Sequence, residues 1–224
     1  MSKILITGSG KGLGLALHNA LKEQGHLIYD YDINDSADVR NPDFLDSIQE
    51  LDILINNAGV NIIDWLENFT EEQWDKVMDT NAKGIFKMTQ ACLPMLIKSK
   101  GTIVNVVSNA AHMPMTCSLA YNASKAAAHI MTLQMARELT KKHGITVFGI
   151  APNKLSGTGM SDSIDEQVVK TRGWSKEYAQ EYQLNGLLTG KETPPKLLAE
   201  FVAYLLKDKQ HHEYLTGCIL PYGA

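Results

Sequence analysis

The sequence predicts an α/β fold, a doubly wound parallel sheet with helices on both faces. Three observations support this prediction. Short apolar runs with the composition of strands recur along the 224 residues, stretches with helical periodicity separate them, and a glycine-rich turn follows the first run. Strands that alternate with helices form right-handed βαβ units, which bring parallel strands together in one sheet. We expect a single domain that covers residues 1–224.

Six apolar runs have the length and the β-branched content of buried strands. They cover residues 3–7, 27–31, 51–55, 103–107, 144–150 and 215–220. Apolar side chains at helical spacing lie between these runs, in residues 15–21, 70–78, 85–98, 125–142 and 195–206. Residues 34–42 are polar and too few for a full helix, so a helix on one face of the sheet is expected to be missing there.

Local signals mark where the helices start, end or bend. Gly25 is expected to end the first helix. Thr70 and Gln73 have the spacing of a capping box, in which two reciprocal hydrogen bonds open a helix. Pro94 is expected to bend the helix that contains it. His211 and His212 lie in a charged turn, where a surface pair is expected rather than a metal site.

Composition and charge exclude several classes of function. A hydrophobic content of 44% and a charged content of 21% are typical of a soluble globular protein. A net charge of −4 gives no electrostatic reason to bind nucleic acid or an anionic membrane. No apolar run approaches the about 20 residues that span a membrane, and no signal-peptide segment precedes the first strand. The three cysteines Cys92, Cys117 and Cys218 lie far apart, which fits a reducing, cytoplasmic compartment without a metal site.

A glycine-rich turn joins the first strand to the first helix. Such a turn lets the backbone approach a pyrophosphate closely, and the helix dipole favours negative charge there. The Gly-x-x-x-x-Gly-Lys-Ser/Thr pattern of a nucleotide phosphate loop is not present, so that alternative is excluded. The expected cofactor contacts in this turn are Gly8, Ser9, Lys11, Gly12, Leu13 and Gly14.

An acidic residue stands at the end of the second strand. Asp32 is placed to accept hydrogen bonds from the ribose hydroxyls of an adenosine, and its charge would repel the 2′-phosphate of NADP. Asp30 is the rival residue, but it lies inside the strand. A solvated strand end is the alternative for either carboxylate.

The segment from Ser108 to Lys125 carries the candidate catalytic chemistry. Tyr121 and Lys125 are one helical turn apart, which puts a phenol and an ammonium on the same face. A nearby cation favours the phenolate, so we expect Lys125 to lower the pKa of Tyr121 from its usual value of about 10. Ser108 would offer a hydroxyl beside that face. The spacing alone is weak evidence, because both residue types are common on helix surfaces.

Together these motifs resemble the short-chain dehydrogenase/reductase family in its classical form, over essentially the whole chain. The family's glycine motif appears at residues 7–14, and its Asn-Asn-Ala-Gly motif appears at residues 56–59. Its active-site asparagine, serine, tyrosine and lysine match Asn81, Ser108, Tyr121 and Lys125. The resemblance implies a Rossmann-like domain that binds NAD(P).

The resemblance also implies a reaction, in which hydride passes between nicotinamide and a small alcohol or ketone. Tyr121 would exchange a proton with the substrate oxygen, and Ser108 would hold and polarise that oxygen. Lys125 would bind the nicotinamide ribose, and Asn81 would hold a water that links Lys125 to solvent. A pteridine- or enoyl-type reductase, or a dinucleotide-sensing protein that has lost catalysis, are the alternatives.

Further cofactor contacts are implied in the same way. Asp32 favours NAD, whereas Lys11 lies where NADP-dependent relatives often keep a basic residue. We give the carboxylate more weight, because a buried clash of like charges costs more than an exposed lysine gains. NAD is therefore the expected cofactor and NADP a possible one. The other implied contacts are Asp38, Val39, Asn57, Ala58, Gly59, Tyr121 and Lys125.

The chain departs from the family after the strand over residues 144–150. Pro152 is followed by Asn153 instead of glycine, and the threonine that grips the carboxamide is displaced, so Ser156 and Thr158 are both candidates for that role. We expect residues 152–195 to form a partly helical flap over the substrate. The pocket wall would include residues 112–117. Relatives use the catalytic helix for dimer and tetramer contacts, so a homodimer or homotetramer is expected.

Overall fold

The computed structural model describes residues 1–42 and 48–223 and confirms the predicted fold class. A six-stranded sheet runs in the order β2-β1-β3-β4-β5-β6, and each neighbouring pair of strands is parallel. β2 and β3 lie on opposite sides of β1, so the connection from β2 to β3 reverses the direction in which the sheet is built. Ligands of such sheets bind at the carboxyl ends of the strands, where the order reverses. The strands are β1 (Lys3–Thr7), β2 (Leu27–Tyr31), β3 (Ile53–Asn56), β4 (Thr102–Val106), β5 (Thr146–Pro152) and β6 (Ile219–Tyr222).

Helices connect these strands, and none of those in the described ranges is long and apolar enough to cross a membrane. Both faces of the sheet are covered, as predicted. The helices are α1 (Gly12–Glu23), α2 (Glu71–Met78), α3 (Gly84–Ser99), α4 (Leu119–His143), α5 (Gly159–Arg172), α6 (Lys176–Asn185), α7 (Pro195–Leu206) and α8 (Lys209–His212).

Two apolar layers form because side chains alternate along each strand. One set of strand residues, which includes Ile4, Ile55 and Phe148, packs against α1 and α7. The other set, which includes Leu5 and Ile103, packs against α3 and α4. Both faces of the central strands are therefore buried, which explains why these strands are apolar without alternation in the sequence.

Most predicted boundaries agree with the structure to within two residues. β1 and β2 have the predicted bounds, and the capping box of Thr70 and Gln73 is formed in both directions. The start of the last strand was predicted wrongly. Leu215 ends a 3₁₀ turn, Gly217 has φ of 75°, and the strand itself begins at Ile219.

Two irregular segments shape the site. Only a 3₁₀ turn (Ile33–Asp35) lies between Asp32 and Asp38, which confirms that a full helix is missing there. A π-helical turn (Asp79–Lys83) joins α2 to α3 without a break in the helical backbone. Such turns carry one extra residue and occur often at functional sites.

His212 corrects the expectation of a surface histidine pair. His211 is exposed, but His212 is buried at 3% exposure. Its Nδ1 lies 3.1 Å from the Leu205 carbonyl oxygen, which can only accept a hydrogen bond, so Nδ1 carries the proton. Its Nε2 then accepts the Thr102 hydroxyl at 2.9 Å. The charged neighbours in sequence gave no sign of this contact with β4.

The burial of His212 should make stability depend on pH. Burial lowers the pKa of His212 below 6.5, so the unfolded chain binds more protons as the pH falls below that value. The free energy of unfolding should therefore decrease below pH 6.5 and recover above it. Urea unfolding at pH 7.5 and 5.5 should show a smaller pH effect in His212→Asn than in the wild type. His211→Asn is the matched control, and an equal pH effect in all three proteins would contradict the assignment.

Candidate active site

The glycine-rich turn lies between β1 and α1 and leaves almost no room for side chains. Gly8 and Gly12 have φ of 67° and 55°, in the left-handed region that favours glycine. A Cβ on Gly14 would lie 1.9 Å from the Gly8 carbonyl oxygen. Lys11 is the N-cap residue of helix α1, its side chain makes no capping hydrogen bond, and the first turn of the helix contains no acidic residue. Its N-terminal N–H groups are therefore free to bind an anion, and the turn fits a pyrophosphate.

Two sequence motifs are joined by hydrogen bonds at the base of this turn. The Thr7 hydroxyl accepts the N–H groups of Asn57 and Ala58 at 2.9 and 3.0 Å. The Asn57 amide donates to the carbonyl oxygens of Thr7 and Gly8 at 2.9 and 3.1 Å. The glycine motif and the Asn-Asn-Ala-Gly motif therefore form one unit, and Asn57 acts on the protein backbone. Within that unit, Ser9 and Leu13 are buried.

Asp32 lies directly against the glycine-rich turn. One carboxylate oxygen accepts the Gly10 N–H at 2.8 Å, and the other accepts the Asn34 N–H at 2.9 Å. The residue is 4% exposed. The rival Asp30 instead contacts Nδ1 of His18 at 2.8 Å. The structure thus brings Asp32, and not Asp30, to the turn.

Asp38 and Val39 follow at the same edge of the sheet. Arg40 binds the Asp38 carboxylate through Nε at 2.9 and 3.0 Å and through Nη2 at 2.6 Å. These hydrogen bonds hold the pKa of Asp38 below its usual range. Val39 is buried against the start of α3, where a Cβ on Gly84 would lie 2.9 Å from it. An adenine contact from these two residues stays a prediction.

The catalytic candidates meet at the carboxyl end of β4 and the first turns of α4. Helix α4 begins earlier than predicted, at Leu119, so Tyr121 lies in its first turn. The Ser108 hydroxyl lies close enough to the Tyr121 phenol to lower its pKa against the effect of burial. Ser108 also accepts the Ala110 N–H at 3.2 Å, which orients its hydroxyl. Serine and tyrosine are therefore within reach of a single substrate oxygen.

Lys125 is buried beside this pair at 4% exposure. Its Nζ lies 5.8 Å from the centre of the Tyr121 ring and donates to the Val106 carbonyl oxygen at 2.8 Å. Burial lowers the pKa of Lys125 to about 8. The amine is therefore poised to gain or lose a proton close to neutral pH.

The prediction that Lys125 lowers the pKa of Tyr121 is wrong for the chain without a bound cofactor or substrate. Burial raises the pKa of Tyr121, because a phenolate loses its solvation there, and the hydrogen bond from Ser108 opposes the rise. Lys125 pairs with the Val106 carbonyl oxygen and has a depressed pKa of its own. The charge of Lys125 therefore does not offset the rise in the pKa of Tyr121 that burial causes, although the spacing of the two residues predicted that it would.

Asn81 is completely buried in the π-helical turn and connects two other parts of the site. Its carboxamide accepts the Val60 N–H and donates to the Val60 carbonyl oxygen, both at 2.8 Å. Its nitrogen also lies 3.0 Å from the Ser124 hydroxyl, which in turn donates to the Tyr121 carbonyl oxygen at 2.8 Å. Ser124 was missed in the sequence, although it lies three residues after the tyrosine.

A second residue missed in the sequence is Asn122. Its amide donates to the carbonyl oxygens of Ala110 and Met113 at 2.6 and 2.8 Å and accepts the Met115 N–H at 3.3 Å. Asn122 therefore fixes the loop between Ser108 and Tyr121. Its position next to Tyr121, the predicted catalytic tyrosine, was the signal that could have identified it.

The same loop carries the side chains expected to line the pocket. Met113 and Met115 are exposed, and Nε2 of His112 lies 3.1 Å from Nδ1 of His129. Cys117 has φ of 67° and packs against an apolar group that contains Ile63, Val168 and Ala179.

Residues 152–195 contain helices α5 and α6, as expected for this segment. Thr158 caps α5, and its side chain lies 3.5 Å from the position of a Cβ on Gly12. Ser156 instead pairs through its backbone N–H with the Thr193 carbonyl oxygen at 3.0 Å. Of the two candidates for the carboxamide contact, Thr158 is therefore the one that lies beside the glycine-rich turn.

Comparison with known proteins identifies the family. A family profile described as "short chain dehydrogenase" matches residues 26–169. The chain belongs to the short-chain dehydrogenase/reductase family. It is 31% identical to sorbitol-6-phosphate 2-dehydrogenase of Klebsiella pneumoniae, over 96% of this chain and 91% of that protein. It is 30% identical to a 3-oxoacyl-(acyl-carrier-protein) reductase of Vibrio cholerae, over 95% of this chain and 92% of that protein.

Solved structures agree on the fold. An actinorhodin polyketide ketoreductase with NADPH is similar at a TM-score of 0.86 and 24% identity, over 98% of this chain and 95% of that chain. Levodione reductase is similar at a TM-score of 0.86 and 22% identity, over 99% and 96% of the two chains.

As a member of this family, the chain is an oxidoreductase that interconverts alcohols and carbonyl compounds with a nicotinamide dinucleotide. The glycine-rich turn, the free N-terminus of α1 and the carboxylate of Asp32 fit such a dinucleotide. The alternative of a sensing protein without catalysis is not supported, because the relatives are named as dehydrogenases and reductases. In residues 1–42 and 48–223, no group of three or more His, Cys, Asp or Glu side chains could hold a metal ion.

The effect of Ser108 on the pKa of Tyr121 should be visible in a pH profile. It opposes the rise in the pKa of Tyr121, so Ser108→Ala should raise that pKa further. With the Tyr121 phenolate as the expected base in alcohol oxidation, the rising limb of kcat/KM against pH should move to higher pH. We also expect kcat to fall about a hundredfold, as for the loss of one oxyanion donor. Ser108→Thr keeps the hydroxyl and is the control, and an unmoved limb in Ser108→Ala would contradict the contact.

Proposed function

We propose that the chain is an NAD-dependent dehydrogenase or reductase of a small alcohol or ketone, with Asn81, Ser108, Tyr121 and Lys125 as its catalytic group. The proximity of the Ser108 and Tyr121 side chains, through which Ser108 lowers the pKa of the phenol, carries the proposal. Both residues follow β4, at the edge of the sheet where we propose that the dinucleotide binds. Lys125, buried one turn along α4, adds a proton donor whose pKa is about 8.

Each side chain then has a role that its surroundings support. Tyr121 gives a proton to the carbonyl oxygen during reduction and takes it from the alcohol during oxidation. Ser108 holds the same oxygen and stabilises the charge that develops on it. Lys125 returns the proton to Tyr121 and binds the nicotinamide ribose. Asn81 keeps Val60 and Ser124 in place around Lys125. The bound dinucleotide supplies or accepts the hydride.

The residues that would hold the dinucleotide lie along one edge of the sheet. Gly8, Gly12 and Gly14 would face the pyrophosphate, and Asp32 would accept hydrogen bonds from the adenosine ribose. Thr158, beside Gly12, is our candidate for the carboxamide contact. The remaining contacts proposed from the family pattern are Ser9, Lys11, Leu13, Asp38, Val39, Asn57, Ala58, Gly59, Tyr121 and Lys125.

The choice of NAD over NADP is supported by the position of Asp32. Its carboxylate is almost fully buried against the Gly10 N–H, so a 2′-phosphate there would meet a fixed negative charge. Lys11 is exposed, and water screens its attraction for a phosphate. Arg40 is the cationic residue nearest to Asp32 along the chain, and it already forms an ion pair with Asp38.

The substrate class is supported by the relatives. One is named for the oxidation of a sugar-alcohol phosphate and the other for the reduction of a 3-oxoacyl group, and both reactions interconvert an alcohol and a carbonyl group. Ser108 is placed to polarise an oxygen, which supports this chemistry over reduction of a pteridine or an enoyl double bond. We propose that residues 152–195 cover the substrate as a flap. The Thr158 side chain, near the start of this segment, lies beside Gly12 of the glycine-rich turn, which supports the placement.

We also propose a cytoplasmic homodimer or homotetramer. Large apolar side chains are exposed on α3 and α4, among them Phe86 at 48% and Ile130 at 61%. A second copy of the chain would cover these two helices. The three cysteines are free, which supports a reducing compartment.

Removal of the Tyr121 hydroxyl tests the proposed function. Tyr121→Phe should lower turnover by about 10²- to 10⁴-fold, because the proton then has no donor or acceptor at the substrate oxygen. NADH binding, followed by fluorescence, should persist, since the glycine-rich turn and Asp32 are unchanged. Tyr204→Phe, at a tyrosine that is 62% exposed on α7, is the control. Full activity in Tyr121→Phe would refute the mechanism.

Neutralisation of Asp32 tests the cofactor preference. The wild type should bind NADH about tenfold or more tightly than NADPH, because like charges in contact cost several kcal/mol and 1.4 kcal/mol is about tenfold in affinity. Asp32→Asn keeps the shape of the side chain and should bring the affinities for NADH and NADPH closer together. Asp30→Asn should leave it unchanged. The measurement is titration calorimetry with both cofactors, and tighter NADPH binding by the wild type would reverse the assignment.

A further inference from the structure

Cys117 lies in a strained turn directly before helix α4. Its φ of 67° is in the left-handed region, which a residue with a Cβ rarely adopts. A residue in such a conformation depends on contacts from the surrounding structure, and such residues occur often at functional sites. The helix begins at Leu119, and Tyr121 lies in its first turn. The turn at Cys117 therefore precedes the helix start that carries Tyr121 by only one residue, Ser118.

The start of α4 has little support from its own side chains. Ser118 is the N-cap residue, and its side chain makes no capping hydrogen bond. Its N–H donates to the Met115 carbonyl oxygen at 3.1 Å, and its carbonyl oxygen accepts the Asn122 N–H at 2.9 Å. A helix start without a side-chain cap depends on the backbone that leads into it. In this chain that backbone is Thr116 and Cys117.

Two other parts of the chain hold the carbonyl oxygens of this turn. Nη2 of Arg172, the last residue of α5, donates to the Thr116 carbonyl oxygen at 2.8 Å. The Asp64 N–H donates to the Cys117 carbonyl oxygen at 3.0 Å. One hydrogen bond thus comes from residues 152–195, and the other comes from the loop after β3.

The guanidinium of Arg172 is held against two aromatic rings. Its central carbon lies 4.7 Å from the centre of the Trp174 ring and 5.6 Å from the centre of the Tyr182 ring. A guanidinium and an aromatic ring attract each other at these distances. Within residues 1–42 and 48–223, Arg172 forms no ion pair with a carboxylate. Contact with the rings, and not a salt bridge, therefore orients Arg172 toward the Thr116 carbonyl oxygen.

We propose that Arg172 is a positioning residue, which fixes the start of α4 and thereby places the Tyr121 hydroxyl for proton transfer. It acts through the Thr116 carbonyl oxygen and the strained turn at Cys117. This inference rests on the proposed function, because it assumes that Tyr121 exchanges a proton with the substrate. It also gives α5 a role in catalysis besides covering the substrate.

A simpler role for Arg172 is to place a positive charge at the C-terminal end of α5, where the helix dipole favours it. Lys170 lies in the same last turn and has the same charge. Its side chain is exposed. Lys170→Met is therefore the matched control for Arg172→Met. Both changes remove one cation from the same helix end, and Arg172→Met also removes the hydrogen bond to Thr116.

The first test compares turnover in these two variants, followed as NADH formation during the oxidation of acetoin. Arg172→Met should lower kcat about tenfold or more, because small displacements of a catalytic group are costly. The KM for acetoin and the affinity for NADH should change less than about twofold, since the glycine-rich turn and Asp32 are unchanged. Lys170→Met should keep the kcat of the wild type.

Two further measurements report the position of Tyr121 itself. Amide hydrogen exchange in residues 118–125 should be faster in Arg172→Met and unchanged in Lys170→Met. Burial and Ser108 shift the pKa of Tyr121, and Arg172 is not among the causes. A rising limb of kcat/KM that moves to higher pH in Arg172→Met would therefore show that Tyr121 has moved away from Ser108.

Relief of the strain at Cys117 provides a second test. Glycine adopts a φ of 67° without strain, so Cys117→Gly should keep the turn with less help from Arg172. Arg172→Met should then lower kcat less than about threefold in the Cys117→Gly background. Cys117→Ala also removes the thiol but keeps the strain, so the full loss is expected in that background. If Arg172→Met does not fold, Arg172→Gln replaces it in every comparison.

The outcomes separate this inference from the proposed function. Unchanged kcat in Arg172→Met, an equal loss in Lys170→Met, or an equal loss with Cys117→Gly and with Cys117→Ala overturns the inference. If Tyr121→Phe nevertheless loses turnover, the proposed function is intact. Full activity in Tyr121→Phe refutes the proposed function and this inference with it.

Discussion

The carboxamide of Asn81 is the constraint on which the geometry of the site depends. It holds the Val60 backbone in both directions and contacts the Ser124 hydroxyl, so it joins the loop after β3 to helix α4. The loop after β3 and the first turns of α4, next to Lys125, are held together through these contacts. The group is buried, so water cannot replace any of the three bonds, and they are correspondingly expensive to lose.

Charge in this site is governed by desolvation more than by pairing. Tyr121 and Lys125 both lose solvation, which raises the pKa of the phenol and lowers that of the amine. Both shifts favour the neutral forms. A bound dinucleotide and substrate change this balance, since they bring new hydrogen bonds and charges to the same groups. In the chain by itself the Tyr121 phenol is neutral at pH 7, whereas Lys125, with a pKa of about 8, keeps most of its proton.

Structural features that depend on local sequence pattern were predicted correctly. The apolar runs predicted β1 and β2, and the glycine spacing predicted a turn whose φ angles only glycine adopts easily. Contacts between segments that lie far apart in the sequence could not be predicted from it. His212 was expected at the surface because its neighbours are charged, yet α7 and β4 enclose it.

The π-helical turn at Asp79–Lys83 has a consequence for how this chain tolerates length changes. Deletion of one residue there would convert the turn to regular α-helix and improve its local hydrogen bonding. The same deletion would rotate everything on one side of it by about 100° relative to the other, the angle per residue of an α-helix. Asn81 would no longer reach Val60 while α3 kept its packing. The segment therefore has a fixed length, and its backbone irregularity is retained for the alignment it provides.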